Sequence, residues 1–156
     1  MKPYNWCKKY HACYDATEWV RQFNTWAEAW DACQRPDWML WLMGEKDIGD
    51  AKTLRLFACR CVRDVWPLLT DERSRNAVEV AERFANGEAS REELWTARDA
   101  ALDAAEKTVE DAAENVAENA AWVALNVARA AAENVDAKQA GYLREMFGNP
   151  FRKDSK

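Results

Sequence analysis

No glycine or proline occurs between Ser90 and Ala140, and 17 of the 44 residues from Ala97 to Ala140 are alanine. Alanine loses no side-chain entropy in a helix and lets neighbouring backbones approach closely. A stretch of this kind has nowhere to go but helix, and it commits the chain to an all-α fold. The expectation is a compact bundle of about six helices with one or two long alanine-rich helices. A single helix over the whole stretch would be far longer than globular helices usually run. Two helices with a soft break near Thr108–Glu114 are therefore expected.

Asp50–Ser90 carries the clearest punctuation. Asp50 is a good N-cap, because its carboxylate accepts the free N–H groups of a first turn. Leu54, Phe57, Cys61, Val65 and Leu68 recur at helical spacing and predict a core-facing stripe, with Arg55, Arg60 and Arg63 opposite. Pro67 ends or kinks this helix near Trp66. Asp71 or Thr70 caps the next one, with Ala77, Ala81 and Phe84 inward and Gly87 at its end. Ser90 and Glu93 then form a capping box.

The rest divides as follows. Residues 1–15 read as an irregular aromatic N-terminal arm. Residues 16–151 form a single all-helical domain, and residues 152–156 a disordered basic tail. A helix from about Thr17 to Cys33 carries an aromatic seam of Trp19, Phe23, Trp26, Trp30 and Cys33. Such a seam packs inward more often than it offers a stacking platform. After Arg35-Pro36, with Asp37 as cap, Trp38–Met43 make a short apolar helix ended by Gly44. A last helix over Asp136–Phe147 turns Ala140, Leu143 and Phe147 inward. Gly148 and Asn149-Pro150 stop it, and Phe151 docks the tail.

The net charge is −5, which argues against a generic nucleic-acid binder. The charge is uneven: four bases and no acid from Lys52 to Arg63, eleven acids against four bases from Arg91 to Asp136. No apolar run is long enough for a membrane span, and the N-terminus lacks the apolar core of a signal peptide. A cytoplasmic location is the default expectation. The five cysteines show no disulfide framework. Cys7, His11 and Cys13, with Cys33 as a fourth, match no standard zinc spacing, so no metal is expected.

One histidine leaves almost no material for a nucleophile–base arrangement, and no P-loop, GxGxxG or HExxH occurs. The chain reads as a non-enzyme without cofactors. What remains is binding. Arg60, Arg63, Arg73 and Arg75 flank the corner at Trp66, where guanidinium forks suit phosphate or carboxylate. The competing reading pairs them with Asp64, Asp71, Glu72 and the acidic helices. Asn115, Asn119, Trp122 and Asn126, with Arg129, share a helix face beside the stripe Val109–Val127. That face is either a ligand ladder or a solvated flank.

FACRCVR, WPLLTDERSR and the closing LREMFGNPF, with the alanine-rich middle between them, resemble the Imm5-like family of immunity proteins of bacteria and phages. The similarity covers roughly Trp30–Phe151; the N-terminal arm lies outside it. The resemblance implies an all-α domain that neutralises something by binding it, and its polar signature positions fall on Arg60, Arg63, Asp71, Arg73 and Ser74. The first expectation is an inhibitor of a protein toxin or immune effector, an immunity or phage anti-defence protein acting by protein–protein contact. Acidic-helix positions such as Glu114 and Glu118 would then weaken the complex on charge reversal. The alternatives are a sponge that sequesters a phosphorylated nucleotide signal in an Arg/Trp/Asn pocket, and a structural module that forms homo-oligomers.

Overall fold

The computed structural model describes residues 1–64, 66–115 and 135–152, of which residues 68 and 105–115 through the backbone alone. All regular structure among these residues is helical, as the alanine content requires. In chain order the α-helices are α1 (Pro3–Lys9), α2 (Tyr14–Val20), α3 (Trp26–Ala32), α4 (Pro36–Glu45), α5 (Ala51–Arg63), α6 (Glu72–Ala85) and α7 (Arg91–Asn115), with a 3₁₀ turn at Trp66–Leu68. A further helix, α8, spans residues 135–147. The chain divides into two compact units, Met1–Gly49 with Glu133–Lys156, and Asp50–Ala132. The stretch 16–151 expected as a single all-helical domain spans parts of both units.

The N-terminal arm is not irregular. Pro3 sits at the first position of α1, where its missing N–H costs nothing. Cys7 is buried and joins Val20 and Ala29 in a core onto which Tyr4, Trp6, Trp19, Phe23 and Trp26 pack. The expected continuous helix from Thr17 to Cys33 is two helices. Thr25 and Glu28 form a reciprocal capping box, each side chain accepting the other's backbone N–H, so the chain restarts at Trp26. The aromatic seam survives the break as core: Trp30 is 1% exposed. The cap of α4 is Arg35 rather than Asp37, because Pro36 takes the first helical position and leaves Asp37 in the first turn. Met39, Leu42 and Met43 of α4 are buried, as are Ala140 and Leu143 of α8. Gly49 has a φ of +93°, and a Cβ there would lie 2.8 Å from Phe147 Cε1, so only glycine lets the loop pass this ring.

In the second unit Asp50 accepts the Thr53 N–H at 2.9 Å and Asp71 the Arg73 N–H at 2.8 Å, both in the capping roles expected. Phe57 and Cys59 of α5 and Val80 of α6 are buried, whereas Ala77, Ala81 and Phe84 are only half-buried. Arg55 and Arg63 do not lie opposite the core. Arg55 covers the Phe84 ring at 4.8 Å and Arg63 reaches Glu82, so this face of α5 packs on α6. After the turn at Gly87, the Ser90–Glu93 box opens α7. α7 then runs through Thr108–Glu114 to Asn115 without the break expected there. Alanine supplies no reason to stop, and no cap or glycine interrupts it. Among its described side chains Ala97 and Ala104 are buried.

Candidate interaction site

The corner after α5 brings together three of the residues expected to bind. The Arg63 guanidinium lies over Trp66, 3.9 Å from the ring centroid, and Arg75 lies 5.6 Å from the same centroid. Both arginines are engaged by the protein itself. Arg63 donates twice to Glu82, at 2.9 and 2.6 Å, a bidentate pair that spans α5 and α6. Arg75 Nε donates to the Leu69 carbonyl at 2.6 Å, which fixes the loop before α6, and Nη1 reaches Glu72 at 3.4 Å. Arg73 turns back on the cap of its own helix, donating to Asp71 at 3.1 and 2.8 Å. Arg60 is half-buried and not free.

The electrostatics agree with this geometry. The Arg73 side chain, then its backbone N–H, holds the Asp71 carboxyl down to about 2. The Arg63 hydrogen bonds hold Glu82 below the usual carboxylate range. Arg63 is raised in turn, chiefly by Glu82. A phosphate entering this corner would have to displace carboxylates already held at both forks. The corner works as a clamp between helices. Asn115 belongs to α7, whereas Asn119, Trp122 and Asn126 lie outside the described residues, as do Arg129 and Glu118.

A second feature of this unit was not expected. α5, α6 and α7 enclose an open groove of about 540 Å³. It is lined by small residues, Ala58, Ala77, Ala81 and Ala101, and on α7 by Leu94, Trp95 and Leu102. Trp95 and Leu102 are each 55% exposed. Among the described residues Arg98 is the charged lining residue, and it pairs with the comparably exposed Asp99 at 3.7 Å. Isolated surface apolar residues are ordinary; a tryptophan and a leucine two turns apart on one helical face over an apolar trough are less so. The sequence held a signal for it. Trp95, Arg98 and Leu102 follow at i, i+3 and i+7 beside the core stripe Leu94, Ala97, Ala101 and Ala104, so the apolar arc of α7 is wider than one core contact needs.

The first unit holds the cysteine–histidine cluster. Burial, then the neighbouring Cys13, pushes the Cys7 thiol up to about 11, which keeps it protonated and a poor metal ligand. Cys13 and His11 are exposed, and His11 has a φ of 55° in the α1–α2 turn. No group of three or more metal-ligating side chains gathers among the described residues. No helix among them is long and apolar enough to cross a membrane. No family model, no curated protein and no solved structure matches this chain.

Proposed function

We propose that the protein is a non-catalytic binding protein that neutralises a protein partner, a toxin or an immune effector, by stoichiometric contact through the α5–α6–α7 groove. This is the action of an immunity or anti-defence protein, and it is what the resemblance to the Imm5-like family implies. The observation that carries it is the more than half-exposed Trp95 and Leu102 on the lip of an apolar trough. Tryptophan is a favoured interface anchor, and a trough lined by alanines suits the apolar face of an amphipathic helix. Arg98 on the wall favours a partner helix that carries a carboxylate beside its apolar stripe.

The arginine corner supports this reading over nucleotide sequestration, because its forks are engaged by Glu82, Asp71 and Glu72. The test is co-purification from cells that carry the toxin or the active defence, with wild type and Trp95→Asp as paired baits. A partner held at one-to-one stoichiometry by wild type and lost by the variant, whose circular dichroism is unchanged, supports the groove. A partner retained equally by both overturns it. A nucleotide released from heat-denatured wild type, with no protein partner, favours the sponge instead.

A further inference from the structure

The first unit contains a feature unrelated to that groove. The indoles of Trp6 and Trp26 meet at 89° with centroids 5.3 Å apart, and Trp41 stands at 64° to Trp6, 5.7 Å away. Tyr10 stacks on the Trp6 ring at 4.4 Å and steadies it. Into this angle projects Lys46, the C-cap residue of α4. Its Nζ lies 4.3 Å from the Trp6 centroid and 5.4 Å from that of Trp26. Perpendicular indole faces around one ammonium are the geometry by which proteins hold organic cations.

Two further observations concern which cation fits. First, Lys46 forms no ion pair with any described carboxylate. A primary ammonium carries three N–H donors and is strongly hydrated, and indole faces satisfy none of those donors well. Second, Trp26 and Trp41 also line an apolar hollow of about 40 Å³, together with Cys7, Leu42 and Trp30. Its walls offer methyl-sized apolar contact and no carboxylate. Trp26 belongs to both, lining the hollow on one hand and lying 5.4 Å from Lys46 Nζ on the other.

A methylated ammonium has the charge that the rings attract, few or no N–H donors to leave unsatisfied, and methyl groups that match the hollow. We infer that Trp6 and Trp26, with Trp41 set against Trp6, form an aromatic cage for a methylated ammonium group, which Lys46 occupies and guards in the free protein. The group can belong to a quaternary amine such as choline or to a trimethylated lysine side chain; the cage chemistry is shared.

The experiment titrates Lys46→Ala and wild type with choline, and separately with a trimethyllysine peptide, reading tryptophan fluorescence. Removing the resident side chain is expected to tighten binding about tenfold, the order by which such a competitor lowers apparent affinity. Ammonium chloride, with the same charge and no methyl groups, is expected to bind about tenfold more weakly than choline. Adding Trp6→Ala to Lys46→Ala abolishes the response. A response to choline alone assigns a small-molecule site, and a response to the peptide alone assigns a modified protein. In wild type the Lys46 ε-methylene protons should resonate upfield, under the Trp6 ring, and return towards the free position as choline displaces them. That readout does not depend on any variant folding. Neither a saturable response in Lys46→Ala nor movement of the wild-type resonance would overturn the assignment.

Discussion

Trp30 and Gly148 are joined across 118 positions of sequence: the indole Nε1 donates to the glycine carbonyl at 2.8 Å. Around this bond the C-terminal segment grips α3. Asn149 Nδ2 donates to the Ala27 carbonyl at 2.9 Å and to Asp31 at 2.8 Å. Arg144 donates to the Cys33 and Trp30 carbonyls, which closes the C-terminal end of α3. Arg152, expected in a disordered tail, pairs with Asp31. Phe151 lies against both Trp26 and Trp30, with centroids 5.9 and 5.8 Å away.

Trp30→Phe should therefore lower stability by about 2 kcal/mol. It removes part of a buried ring and leaves the Gly148 carbonyl without its donor. Urea denaturation followed by circular dichroism reads this directly. A loss below about 0.5 kcal/mol would mean that the C-terminal segment does not hold α3 in solution.

The Arg63–Glu82 pair makes a separate test of the corner. Both side chains are partly exposed, 37% and 29%, so solvent screens the pair and its coupling should be modest. A double-mutant cycle with Arg63→Met and Glu82→Gln should give about 0.5–1 kcal/mol. Arg63→Lys should recover little of it, because an ammonium cannot make the two parallel bonds or lie flat on Trp66. A coupling of zero would release Arg63 from its structural role and reopen the corner as an anion site.

Two groups give stability a pH dependence at opposite ends of the scale. Cys7 has a folded-state pKa of about 11, above the ordinary 9.0. The unfolded chain thus ionises first, and the contribution of Cys7, whole below pH 9, is lost as pH rises towards 11. Asp71 is held at about 2, below the ordinary 3.8, chiefly by Arg73. Its contribution is present above that ordinary value and is lost as pH falls towards 2. Thermal unfolding of Cys7→Ala should fall less steeply than wild type above pH 9. Asp71→Asn should flatten the acid limb. A wild-type and Cys7→Ala pair with parallel alkaline limbs would remove the buried thiol as the cause.

Local grammar carried most of the fold into view before any coordinates. Asp50, Asp71, Gly87 and the Ser90–Glu93 box all act where their chemistry places them, because a cap needs only residues three apart. The sequence misleads where one local signal overlies another. Thr25 and Glu28 form a capping box, but the aromatic spacing ran across it and suggested one helix where there are two. The alanine stretch suggested a break at Thr108–Glu114 from length alone, and no residue there supplies one. The Arg63–Glu82 pair depends on how two helices meet, which no window of sequence contains. The cage at Lys46 is further still from sequence, since Trp6 and Trp26 lie on α1 and α3 and meet Trp41 and Lys46 of α4 only after the three helices have packed.

Trp95 separates a binding surface from a packing surface. At 55% exposure it contributes little to the folded state, and the groove it overhangs is already open. Trp95→Ala should change stability by less than about 0.5 kcal/mol, in contrast to Trp30→Phe. If Trp95 is an anchor, the same substitution should weaken the partner complex by about 2 kcal/mol or more, roughly thirtyfold in Kd. Leu102→Ala should weaken it less, and Arg98→Glu should act mainly by slowing association and reversing its salt dependence, because a rim charge steers encounter more than it adds affinity. Chemical denaturation and titration calorimetry on the same four proteins measure both quantities. A Trp95→Ala variant that loses stability but keeps its partner would make the indole part of the unit's packing, and the partner's contact would then lie elsewhere on the chain.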